Sequence, residues 1–73
     1  MLDNTVVKDR IADHLIAALY QAQDAQQYIG YDDPETLIKA TDAAIQAAHD
    51  ALYVLFDGSK TEVEGAFDRY HGL

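Results

Sequence analysis

The run Asp33–Gly58, DPETLIKATDAAIQAAHDALYVLFDG, decides how this chain folds, because its apolar residues cover more of a helical cylinder than one neighbour can screen from water. Leu37, Thr41, Ala44, Ala48, Ala51 and Leu55 follow an alternating four-three spacing, the seam of a helix lying nearly parallel or antiparallel to another. Ile38, Ile45 and Leu52 widen that seam on one side, and a thinner stripe of Ala40, Ala43, Ala47 and Val54 lies round the back. Asp33 is placed to cap the helix, Pro34 to occupy its first position and Glu35 to favour its dipole; a cap at Asp32 paired with Glu35 would move the start by one residue. Gly58 is placed to end it, so the spacing predicts a helix over about 34–57.

Working outward, the N-terminal segment reads as a partner for that seam. Asp3 can cap a helix, with Leu2 and Val7 as a hydrophobic staple across its start. Val7, Ile11, Leu15, Ala18, Ala22, Ala25 and Ile29 fall on one side at 100° per residue, and no Gly or Pro intervenes before Gly30. This predicts a helix over about 4–29, with Gly30 as its C-terminal stop. The connection Gly30–Asp33 is short enough to fold the two helices into an antiparallel hairpin. Alanines on both seams let the backbones approach closely.

Ser59-Lys60-Thr61-Glu62 has the form of a capping box and opens a third helix over about 60–71, with Val63, Ala66, Phe67 and Tyr70 on one side and Gly65 facing away. About three turns long, it would not be stable alone and must dock on the back stripe of the second helix or in the groove between the long helices. The expected fold is all-α: a single domain over 1–73, an antiparallel hairpin with a short third helix, pairing with a second copy through the long helices.

The composition limits the functions available. A chain of 73 residues buries only about 60% of the surface its unfolded form exposes, so its stability is marginal without help. With no cysteine, that help is neither a disulfide nor a Cys-based metal site, which leaves tight packing or self-association. A formal charge of −8 opposes nucleic-acid backbones and anionic lipid and suits a basic protein partner, although the same charge also serves solubility. By segment the charge is −2 over 1–30, −5 over 31–58 and −1 over 59–73, and helix capping by Asp32, Asp33 and Glu35 accounts for half the acids of the middle segment. No run has the length of a membrane span and the N-terminus lacks the pattern of a signal peptide, which predicts a complete cytoplasmic product.

Residues with chemical potential are few. His14 and His49 lie mid-helix without a second ligand three or four residues away, and His71 reads as exposed; packed or boundary imidazoles are the competing account of the first two. Ser59 is explained as a cap, and no Gly-rich turn is present to hold a phosphate. The expectation is therefore no catalytic residue, no cofactor and no metal. Asp9, Asp13 and Asp24 share one side of the first helix, either as a solvated face or as an acidic contact face. Ile16 and Tyr20 lie off the alanine-rich seam of that helix, and Tyr53 and Val54 lie off the main seam of the second; these four are the expected interaction surface. Together they point to a small non-enzymatic protein–protein interaction module, regulatory or adaptor, acting as a homodimer. The alternative is an acidic decoy that mimics nucleic acid and blocks a basic binding protein.

Overall fold

A computed structural model describes residues 4–72 of the chain. Three helices, α1 (Asn4–Gln26), α2 (Glu35–Leu55) and α3 (Lys60–Tyr70), form an antiparallel hairpin of α1 and α2 with the short α3 packed on it. The expected cap Asp3 and its staple residue Leu2 lie outside the described residues.

The first joint differs from expectation. α1 ends at Gln26 rather than near Ile29, and its last turn tightens through three-residue hydrogen bonds from the N–H groups of Gln27, Tyr28 and Ile29 to the carbonyls of Asp24, Ala25 and Gln26. Gly30 does not take the left-handed conformation; among the described residues only Asp57, Gly58 and Gly72 have positive φ. Asp33 closes the reversal instead. Its carboxylate accepts from the Gly30 N–H at 2.8 Å and its own N–H donates to the Gly30 carbonyl at 3.2 Å. Spent in the loop, Asp33 does not cap α2: the cap position falls to Pro34, whose extended backbone (φ −59°, ψ 140°) precedes the first helical residue and whose ring offers no acceptor.

The second joint is tighter still. Phe56 is the last half-helical residue, the Asp57 N–H donates to the Val54 carbonyl at 3.3 Å, and the Gly58 N–H donates to the Tyr53 carbonyl at 2.7 Å. These are the paired bonds of a Schellman motif. The left-handed residue that the motif needs is Asp57 at φ 54°, followed by Gly58 at φ 81°. Ser59 then caps α3 as its sequence implies, its hydroxyl accepting from the Glu62 N–H at 3.2 Å.

Packing corrects the orientation of α1. The buried core is Ala12, Ile16 and Leu19 from α1, Ala48, Leu52 and Phe56 from α2 and its joint, and Val63 and Ala66 from α3. Ile16, expected on an outer surface, is 0% exposed, and together with Leu52 forms the largest fully buried pair of side chains. The expected seam residues Val7, Ile11, Ala18 and Ala25 face water. At 100° per residue the two sets differ by roughly 110° of rotation about the helix axis. The physical reason is size: burying Ile16 and Leu19 removes more apolar area than burying a row of alanines, at roughly 25 cal/mol per Å². α2 follows expectation more closely, with Ala48 and Leu52 buried and Thr41, Ile45, Ala51 and Leu55 partly so.

The third helix settles in the groove between the long helices near their open end, leaving Ala40, Ala43, Ala47 and Val54 uncovered. It reaches only part of the hairpin. The molecule measures 49 × 24 × 23 Å with a radius of gyration of 14.3 Å. A compact chain of this length would have a radius near ~11 Å. The elongation leaves helix faces without a cover.

Candidate protein interface

Both long helices keep an uncovered apolar stripe. On α1, Tyr20 and Asp9 meet α3, Tyr20 through ring contacts with Phe67 and Tyr70 and Asp9 through an ion pair with Arg69 at 3.2 Å. Ile11 and Ala18 sit roughly 160–180° round the helix from these two residues. On α2, Ala40, Ala44, Ala47 and Val54 point away from Leu52 and Phe56, the residues that share a core with Val63 and Ala66 of α3. α3 covers neither stripe, and together they are the apolar surface that the hairpin leaves open.

That surface is mostly apolar and carries no Asp, Glu, Lys or Arg. Its exposed positions are Val7, Ile11, Ala18 and Ala25 on α1, with the exposed polar side chains of His14 and Gln21 on the same row, and Leu37, Ala40, Ala44, Ala47 and Val54 on α2. Val7, Ile11, Leu37 and Val54 are its large side chains, and Val54 is 78% exposed. Alanines fill the middle, so the surface is flat enough for another helix pair to lie on it. Two helices about 35 Å long, side by side at about 9 Å, present roughly 600 Å².

A different feature lies at the closed end of the hairpin. An open groove of about 590 Å³ is lined by Gln26, Ile29, Tyr31, Ile38 and Asp42, with Asp33 and Glu35 at its edge. Tyr31 stands fully exposed and Ile38 is 45% exposed. The amide of Gln26 bridges the two long helices beside it, donating to the Thr41 hydroxyl at 2.9 Å and to the Asp42 carboxylate.

Of the four residues expected as an interaction surface, Ile16 is wholly core, and Tyr20 and Tyr53 are half-buried against that core. Val54 alone belongs to an open face. The reason is again the rotation of α1, which turns Ile16 and Tyr20 towards α3. Asp9, Asp13 and Asp24 do share one side, but Arg69 holds Asp9, so the row is interrupted at its first member. His14 and His49 are exposed, His49 resting against the Tyr53 ring at 5.2 Å. His71 is exposed but engaged, its Nε2 lying 2.6 Å from the Tyr20 hydroxyl. Among the described residues, no group of three or more His, Asp or Glu is placed to hold a metal ion, and no helix is long and apolar enough to cross a membrane. Sequence reasoning missed Leu19 and Gln26; for Leu19 the signal was present, since Ala12, Ile16 and Leu19 are spaced four and three apart.

The chain matches no protein-family model, no curated protein and no solved structure.

Proposed function

We propose that this protein is a non-enzymatic interaction module, regulatory or adaptor in role, that works as a homodimer. The observation that carries the proposal is the uncharged, mostly apolar surface of the hairpin that α3 leaves uncovered. Contiguous apolar surface of several hundred Å² is uncommon on a monomer without a purpose. At about 600 Å² from each copy, a face-to-face pair would bury about 1,200 Å², the lower bound of a specific interface. A second copy fits the chemistry as well as the area: the surface offers no charge for an oppositely charged partner to neutralise, and a twofold axis lying in it would match alanine-rich and large apolar positions with their like. The product is a core of four long helices, with each α3 on the outside. Coverage also supplies burial that the elongated single chain lacks.

Light scattering across a hundredfold dilution, combined with thermal melts over the same range, tests the proposal. The expected result is a dimer mass that dissociates on dilution and a melting temperature that falls with it, because binding to the folded state alone stabilises it by mass action. A monomer mass with a concentration-independent melt overturns the proposal.

A further inference from the structure

We infer that the groove at the closed end of the hairpin docks a peptide segment of a partner protein that combines leucine-like side chains with lysine or arginine. The inference rests on the interaction-module reading and adds a second, heterologous site to it. The groove, about 590 Å³, lies within the range of ordinary binding pockets. Its apolar walls are Ile29, Tyr31 and Ile38, and around them stand the carboxylates of Asp33, Glu35 and Asp42.

Those carboxylates retain capacity for a cationic guest. Asp33 uses one oxygen on the Gly30 N–H, and Asp42 accepts from Gln26; an ionised carboxylate has about four acceptor positions, so each can take more. Among the described residues Glu35 is tied only to Lys39, at 4.0 Å, with both side chains more than two-thirds exposed, and a pair of that kind yields readily to a competitor. One of the chain's five basic residues, Lys39, falls in the segment 31–58, whose net charge is −5. An ammonium or guanidinium group can reach the carboxylates while its own methylene stem and a neighbouring apolar side chain cover Ile29 and Ile38. An anionic or purely apolar segment would leave the acidic edge repelled or unanswered. Because the groove opens at the end remote from α3 and includes Ile38 and Asp42, which lie off the alanine surface, a dimer formed through that surface leaves it accessible.

The test uses a short fluorescent peptide in which pairs of leucines alternate with pairs of lysines, a second peptide with serine in place of leucine, and a third with glutamate in place of lysine. Anisotropy titration with the full chain should show saturable binding of the first peptide only. Backbone amide shifts should concentrate between Gln26 and Asp42, and the double variant Glu35→Gln/Asp42→Asn should bind about tenfold more weakly, a change of about 1.4 kcal/mol. Ile38→Asn should weaken binding comparably while far-UV circular dichroism stays unchanged. Equal binding of the serine peptide, shifts spread over all acidic surfaces, equal binding of the glutamate peptide, or no saturable binding each overturns the inference. Light scattering on the same samples keeps the two proposals separate: a dimer that ignores the leucine–lysine peptide removes the groove alone, and a monomer that binds it removes the dimer alone.

Discussion

The hydroxyl of Tyr20, in the last third of α1, lies 2.6 Å from Nε2 of His71, the residue immediately after α3, across a separation of 51 positions. The Tyr20 ring also sits 6.3 Å from that of Phe67 and 5.9 Å from that of Tyr70. Tyr20 thus serves as the post to which the C-terminal helix is tied. Tyr20→Phe keeps the rings and loses the hydrogen bond, so stability should fall by about 0.5–1.5 kcal/mol. Tyr20→Ala should cost about 3 kcal/mol or more, since the ring contacts go too. Urea melts followed by far-UV circular dichroism measure both.

At the α2–α3 joint, Asp57 holds a left-handed conformation that costs a residue with a side chain roughly 1–2 kcal/mol, with aspartate at the tolerant end. Asp57→Gly should therefore stabilise the fold by about 0.5–1 kcal/mol. Gly65, inside α3 with open space where a Cβ would stand, should give a gain of similar size as Gly65→Ala. Ser59→Ala removes the cap and should lose about 1 kcal/mol. For a chain this short each kcal/mol moves the melting temperature by about 4–8 °C, which a thermal melt resolves.

Core and outer surface respond in opposite ways to an added charge. Ile16→Asp places a carboxylate where exposure is 0% and should abolish helicity, because the desolvation cost rivals the roughly 4–11 kcal/mol of total stability available to such a chain. Val54→Asp and Ile11→Asp stand on the open side and should leave monomer helicity intact while weakening self-association about tenfold or more. Circular dichroism and sedimentation, run side by side, distinguish the two outcomes.

Salt gives the proposed self-association a signature of its own. Each copy carries −8, so pairing brings like charges together, and screening should tighten the dimer as ionic strength rises from about 0.02 M to about 0.2 M. An acidic decoy on a basic groove would show the reverse, weakening by orders of magnitude over that range. Dissociation constants by sedimentation at the two salt levels decide the sign.

Why α2 was legible in the sequence and α1 was not follows from how their apolar residues are distributed. α2 has its large side chains, Leu52 and Ile45, beside its alanine seam, so counting and area agree on which side is inward. α1 has apolar residues on two sides: a longer row of smaller ones from Val7 to Ala25, and a shorter row of Ala12, Ile16 and Leu19. Counting favours the first row, whereas burial favours the second, and only the position of α3 decides between them. The same ambiguity is what exposes an apolar stripe on α1. Capping was legible at Ser59, where side chain and backbone lie three residues apart, but not at Asp33, whose carboxylate turned back to Gly30. The groove at the closed end could not be foreseen, because it depends on α1 ending early and on where Tyr31 and Ile38 come to rest.

The joints carry a consequence for kinetics. Gly30–Pro34 and Phe56–Ser59 are so short that each helix meets its neighbour almost as soon as it forms, and closing such loops takes on the order of 10–100 ns. The contacts between α1 and α3, Tyr20 with His71 among them, are the ones that must wait for nearly the whole chain. With its remaining contacts local, the chain belongs with helical proteins that fold in microseconds to milliseconds, and the clasp at Tyr20 is the step whose loss should show first as faster unfolding.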